Sequence, residues 1–190
     1  MFAALAVAAV LVWVIALSRP PDVREVAICN PPPAPADPNA PAPDLGEQVS
    51  RSAMTDVTPA KLADTKIRVL NASGQGGQAS EVAGALRDVG FADPEAANDP
   101  IYATARLQCQ GQIRFGPAGR AAAAAVWLVA PCTELFQDKR TDDTVDLAIG
   151  TDFTELAHSD DIDAVLSSLL PDATQPADPS LLAKIHTQTC

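Results

Sequence analysis

The chain has 190 residues, 47% of them hydrophobic, a net charge of −11 and a pI near 4.4. Its acidic balance and lack of any Lys/Arg cluster exclude a nucleic-acid partner, because phosphate binding is driven by clustered cations. Cys29, Cys109, Cys132 and Cys190 offer no CxxC spacing and no nearby His pair, so disulfides in an oxidising compartment are expected, with no metal and no cofactor.

Residues 1–18, MFAALAVAAVLVWVIALS, carry no charged side chain. A helix of that length covers roughly 27 Å of a hydrocarbon core about 30 Å thick, just enough to span it once. A single N-terminal transmembrane helix retained as an anchor is the preferred reading. A cleavable signal peptide is the rival: Ala16-Leu17-Ser18 supplies small residues, but a basic n-region is missing and the apolar stretch is long. Ile28 is too bulky for a lipoprotein signal ending at Cys29.

Residues 19–60 read as a Pro-rich extracytoplasmic linker, with ten of the seventeen prolines between Pro20 and Pro59. Such a composition forms extended polyproline and buries no core. At about 3.1 Å per residue, some 30 residues of it would hold a domain up to roughly 90 Å from a membrane. Near its end Thr58-Pro59-Ala60-Lys61-Leu62 has the capping residue and proline of a single helical turn.

A domain is expected over residues 61–157. Ile67, Val69 and Asn71 alternate with Arg68 and Leu70 as a short strand, and Asn71 to Gly77 is a glycine-rich turn. Ala79, Val82, Ala83, Leu86 and Val89 form one helical stripe that Gly90 ends, and Phe91 opens a second extended segment. From Ile113 the order repeats: Ile113-Arg114-Phe115, a Gly116-Pro117-Ala118-Gly119 turn, then a helix from Arg120 to Ala130 stopped by Pro131. Leu107 to Cys109 and Thr144 to Ile149 are further strand-like runs. The pattern predicts an α+β fold, a small four-stranded sheet with two helices on one face, built from two β-α-β halves. Residues 158–190 read as an extension with short helices starting at Ser159 and Asp178, docked or loose.

Gly74-Gln75-Gly76-Gly77-Gln78-Ala79 spells GxGxxA between a strand and a helix, and Asp93 follows at about the distance of a ribose-binding acid. A nicotinamide-type site also needs a sheet large enough to hold a crevice, and fewer than a hundred residues remain for the fold. The alternative reading is a tight turn in which Gly74, Gly76 and Gly77 let strand and helix pack closely. His158 and His186 both lie in the extension, and His158-Ser159-Asp160-Asp161 is explained as a capped helix start and not as a catalytic triad. Asp161 and Asp163 are too few for a calcium loop. Trp127, within AAAAAVWLVAP, is expected in the core. Cys109 and Cys132 flank elements of the domain and are the favoured disulfide, worth roughly 3 kcal/mol by loop closure, leaving Cys29 with Cys190.

Three stretches, IRVLNASGQGGQASEVAGALRDVGF, FGPAGRAAAAAVWLVAPCTELFQD and TVDLAIGTDFTEL, resemble the LytR C-terminal domain family over roughly residues 60–157. The resemblance implies a single-pass membrane protein whose C-terminal domain sits outside the cell membrane and supports cell-envelope integrity without catalysis. The expected partners, besides the membrane that holds the anchor, are a cell-wall polymer or an envelope protein. In other members the domain follows a phosphotransferase domain that attaches polymers to the wall; residues 19–60 are too few and too Pro-rich to be one, so no catalytic residue is carried over. Candidate binding residues are those of the two turns: Asn71, Ser73, Gly74, Gly76, Gly77 and Arg120. The alternative is a nucleotide or wall-precursor enzyme using the Gly74–Gly77 loop.

Overall fold

The computed structural model describes residues 28–187 except 36 and 38. The expected transmembrane helix at residues 1–18 lies outside the described residues, among which no helix is long and apolar enough to cross a membrane. In chain order the elements are β1 (Glu47–Gln48), α1 (Arg51–Thr55), β2 (Ile67–Asn71), α2 (Gln78–Asp88), β3 (Glu95–Asn98), β4 (Gly111–Phe115), α3 (Arg120–Val129), β5 (Glu134–Gln137), β6 (Val145–Ile149), α4 (Asp160–Ser168) and α5 (Pro179–His186). Single 3-10 turns occupy Leu62–Asp64 and Pro117–Gly119.

The fold is α+β, but the sheet has six strands in the order β1-β5-β4-β6-β2-β3, not the four expected, and among the described residues five helices accompany it. The two β-α-β halves are present. β2 and β3 pair in parallel across α2, and β4 and β5 pair in parallel across α3. β6 joins the halves, parallel to β2 and antiparallel to β4. β3 is EAAN, exposed throughout, with no apolar alternation to announce it; it is a strand because β2 offers it an open edge. Leu107 to Cys109, expected as a strand, is instead a loop whose buried Leu107 and Cys109 seal the sheet, and β4 starts only at Gly111.

One face of the sheet carries the main core. Ile67, Val69, Ile113, Phe115, Val145 and Leu147 point into it and meet Val82 and Leu86 of α2 and Ala123 to Leu128 of α3. Eight consecutive residues of α3, Ala122–Val129, are buried, Trp127 completely, as its composition predicts. That burial needs cover on every side. Ile162, Val165 and Leu166 of α4, Leu182 and Ile185 of α5, and Met54 of α1 supply it. The extension is therefore part of the core. So is the last third of the expected linker: Met54 is fully buried, and β1 pairs with β5.

The opposite face is sealed by chain from the Pro-rich stretch. Asn30 receives Tyr102 Oη on its carbonyl at 2.8 Å and the Gln108 amide on Oδ1 at 2.6 Å, and its Nδ2 donates to Arg106 O at 3.1 Å. Farther along, Lys139 pairs with Asp44 at 3.3 Å. The described residues between 28 and 46 thus form a strap that starts beside Gly111 and ends beside Gln137, the partner of Phe115 in the neighbouring strand. Under it lies a closed polar group: Arg114, Asp99, Gln112 and the Tyr102 ring.

The disulfide pairing corrects the expectation. Cys29 is bonded to Cys109, with Cα atoms 5.0 Å apart, so neither Cys109–Cys132 nor Cys29–Cys190 forms. The physical reason is the sheet itself: Cys109 belongs to the cluster on the strap face, while Cys132 follows α3 and lines a groove with Leu156 and Ile162 on the helical side. Cys132 is disulfide-bonded too, and Cys190 lies outside the described residues. Non-reducing peptide mapping is expected to return a Cys29–Cys109 peptide and no Cys109–Cys132 peptide.

α5 closes the core over Trp127. The His186 ring stacks on the indole with centroids 4.0 Å apart, and the Arg51 guanidinium sits 5.1 Å from the same indole ring. Both His186 ring nitrogens are buried without a hydrogen-bond partner. Burial, and secondarily the charge of Arg51, pushes its pKa down to about 4. The folded chain holds the neutral ring, whereas the unfolded one takes up a proton below about pH 6.5. The stability this group contributes is therefore complete above pH 6.5 and lost progressively as the pH falls toward 4. In urea titrations His186→Phe, which keeps a stackable ring and cannot be protonated, is expected to flatten that part of the stability curve.

Candidate functional site

The glycine turn is built by its first residue. Asn71 ends β2, and its Oδ1 accepts hydrogen bonds from Ser73 N at 3.1 Å, Ser73 Oγ at 2.9 Å and Gly74 N at 3.2 Å, while its Nδ2 donates to Gln75 O. Ser73 Oγ also accepts from Gln75 N at 3.1 Å and meets Gln78 Oε1, and Gln78 Nε2 donates to Phe153 O at 3.0 Å. The amides of residues 73, 74 and 75, which an anion would need, are thus already used by the turn's own side chains. The first half of the turn bonds itself shut.

Two of its glycines, Gly76 and Gly77, do different work from close packing. Gly74 and Gly77 have φ of +77° and +86°, the left-handed region where side chains are strained. A Cβ on Gly76 or Gly77 would meet nothing within 4 Å, so neither glycine marks a close approach to the sheet. Gly76→Val is expected to change stability by less than about 0.5 kcal/mol. Gly77→Ala should cost roughly 1–2 kcal/mol, the left-handed penalty. Thermal unfolding of the two variants checks the difference.

The dinucleotide reading fails on position. The ribose-binding acid belongs at the carboxyl end of the second strand, beside the glycine turn. Asp93 precedes β3 and lines a groove with Lys66 and Ile67 at the opposite end of the sheet. The acid at the correct end is Asp99, fully buried and salt-bridged to Arg114 at 2.9 Å. The expectation that the sheet is too small for a crevice does not carry the exclusion, since the sheet has six strands; the placement of the acids does.

The candidate residues do not form one site. Asn71 aligns with Ile149 and Gly111, whereas Ile67 aligns with Val145 and Phe115. The turn after β2 and the turn after β4 therefore sit at opposite ends of five-residue strands, more than about 13 Å apart at 3.3 Å per residue. Asn71, Gly74 and Gly76 share an open groove of about 460 Å³ with Asn98, Tyr102 and Arg106. Arg120 is elsewhere, donating to Gln137 Oε1 at 3.2 Å and to Ala53 O at 2.8 Å, which ties α3 to β5 and α1. That is a strut.

A second groove, about 680 Å³, was not legible in the sequence. It lies at the Phe115 end, with Lys66, Arg68 and Arg140 as its cations. Lys66 pairs with Asp143 at 2.9 Å, Arg68 with Asp146 at 2.6 Å, and Arg140 with Asp138 at 2.6 Å and Asp146 at 2.7 Å. Burial disfavours the Arg140 charge, but its hydrogen bonds to Asp138 and Asp146 outweigh burial and raise its pKa. The one available signal was TDDTVD at residues 141–146, an acidic run that meets the Lys66 and Arg68 side of β2. Among the described residues no group of three His, Cys, Asp or Glu is placed to hold a metal ion.

Residues 64–153 match the family described as LytR cell envelope-related transcriptional attenuator. "Cell envelope integrity protein Cei" of Mycobacterium tuberculosis is 69% identical over 186 residues, 98% of this chain and 85% of that protein. The chain belongs to the LytR C-terminal family. A crystal structure of the soluble domain of a conserved hypothetical secreted protein from Mycobacterium marinum superposes with a TM-score of 0.76 at 74% identity, covering 77% of this chain and 99% of that one. The LytR C-terminal match begins just before β2 and ends just after β6, so it takes in both β-α-β halves. The strap, α1, α4 and α5 lie outside the matched LytR C-terminal residues; α4 and α5 start at the expected Ser159 and Asp178 caps, and packing makes them part of the core.

Proposed function

We propose that this chain is a non-enzymatic, membrane-anchored extracytoplasmic domain that supports cell-envelope integrity by binding an envelope component. The glycine turn carries the reading: its amides at residues 73–75 are committed to Asn71 and Ser73, and the acid beside it, Asp99, is buried and paired with Arg114 where a nucleotide substrate would need it free. Support for the envelope comes from the relative named for cell-envelope integrity at 69% identity, and for an exported location from the Cys29–Cys109 disulfide. Between a wall polymer and an envelope-assembly protein, the surface favours the protein. Among the described residues no Trp, Tyr or Phe is more exposed than the half-buried Phe136, which leaves little aromatic face to stack on a sugar, while the groove at the Phe115 end presents matched charge pairs that a polar protein surface can exchange with its own.

The test uses the full chain in its native membrane. Photo-crosslinkers at Glu95 and Thr144, on the rim of that groove, are expected to capture one discrete envelope protein. Capture of polymer without protein moves the reading to the wall. Turnover of a nucleotide or wall precursor by the purified chain, lost in Gly76→Val, overturns it.

A further inference from the structure

The strap changes what the N-terminal chain can do. A spacer of residues 19–60 would let the domain swing freely, but Cys29 is stapled to Cys109, and Asn30 is held by Tyr102, Arg106 and Gln108. The chain between the apolar segment and the first fixed residue is then residues 19–27, nine residues that reach at most about 30 Å whatever their conformation. A domain of this size is about 40 Å across, from a radius of gyration near 15 Å. The tether is shorter than the body it holds. The far side of the domain cannot turn toward the anchor, and the side bearing Cys29 cannot turn away from it.

That side has a chemical character of its own. Ile28, where the described chain begins, is 84% exposed, and among the described residues it is the one large apolar side chain left in solvent. It borders a groove of about 320 Å³ with Val49, Leu135, Arg51 and Glu134, where the two charges balance. A single large apolar side chain, standing at the mouth of a short tether beside a charge-neutral groove, matches a lipid headgroup surface.

We infer that the domain rests against the bilayer through Ile28 and the Gly111 end of its sheet, and presents the Lys66, Arg68 and Arg140 groove outward. The inference rests on the reading of residues 1–18 as a retained anchor. It makes the glycine turn membrane-proximal and leaves the larger groove as the end open to partners, since the two lie at opposite ends of the strands.

The experiment reconstitutes the full chain, oxidised, in phosphatidylcholine vesicles containing brominated acyl chains, in a Trp13→Phe background that leaves Trp127 as a common reference. Ile28→Trp and Glu95→Trp each add one fluorophore at an exposed position, where the fold tolerates change. Bromolipid is expected to quench the added Ile28→Trp emission several-fold more than that of Glu95→Trp. Inserting about 25 Gly/Ser residues after Arg24, which leaves the disulfide intact and lets the domain roam, should bring the two close to equal. Equal quenching without the insertion, or stronger quenching at Glu95→Trp, overturns the orientation while the anchor stands. A chain that fails to float with the vesicles overturns the anchor reading, and this inference with it.

Discussion

Arg114→Ala is expected to cost about 3–5 kcal/mol, enough to abolish cooperative folding in a domain of ordinary stability. The Arg114 side chain is 4% exposed and that of Asp99 is fully buried. Arg114 Nη1 donates to Asp99 Oδ2 at 2.9 Å, and its Nε and Nη2 both donate to Gln112 Oε1, at 3.1 and 2.8 Å. The other Asp99 oxygen accepts the amides of Ile101 and Tyr102, at 2.7 and 3.0 Å, so one carboxylate fixes both a cation and the start of the loop that carries Cys109. Alanine would leave that carboxylate buried with two amides and no counter-charge. Such an orphaned charge is far costlier than the intact pair is stabilising. Arg114→Lys should fall between, because an ammonium replaces the charge but not the fork that grips Asp99 and Gln112 together. Urea denaturation of the oxidised chain reads the difference; a loss below about 1 kcal/mol for alanine would mean that water reaches Asp99 and that the strap does not seal this face.

The same residue shows where sequence reading stops. In Ile113-Arg114-Phe115 the alternation correctly sends Ile113 and Phe115 to the helical core, and by the same period it sends Arg114 to solvent. Arg114 is buried because chain from elsewhere covers it: Asp99 and the Tyr102 ring lie on it, Asn30 holds Tyr102 in place, and Asp44 and Leu45 stand alongside. Local periodicity reports which face a side chain takes and is silent about what later covers that face. α2 and α3 were legible because each carries its own stripe and its own glycine or proline stop, and both β-α-β halves followed from the repeated order. The places of β1, β3 and β5 were not: β3 starts four residues after the Phe91 expected to open it, and all three are two to four residues long and owe their conformation to a neighbour's open edge. The turn at Asn71 was found, but its purpose was not: GxGxxA fits a ligand loop and a self-bonded turn alike, and the Asn71 and Ser73 side chains decide between them. The groove at the Phe115 end needed residues from β2, the β3 approach and the 138–144 loop brought together, which no local window contains.

Replacing Cys29 and Cys109 together by serine is the second large effect expected. The staple joins residues 80 apart, and constraining an unfolded chain over that span is worth about 4.5 kcal/mol in the chain-entropy model. That figure assumes the serine variant keeps the strap in place. Without the disulfide, the hydrogen bonds holding the strap's first residues are one from the residue 29 amide to Glu134 and the three of Asn30, and such bonds contribute about 1 kcal/mol each. Ordering some eighteen strap residues costs more than that, at 1–2 kcal/mol of backbone entropy apiece. The strap is therefore expected to detach before the core unfolds, so the measured loss should fall below the full loop-closure value, and protease sensitivity should appear first within the Pro-rich residues 31–43. Detachment would bare Leu107, Tyr102 and the Arg114–Asp99 pair on one side while α2 and α3 keep the other intact. Hydrogen exchange separates the outcomes. Loss of protection confined to the amides of residues 101–110 marks a detached strap on a standing sheet, whereas uniform loss across β2, β4 and β6 would show that strap and core unfold as one cooperative unit.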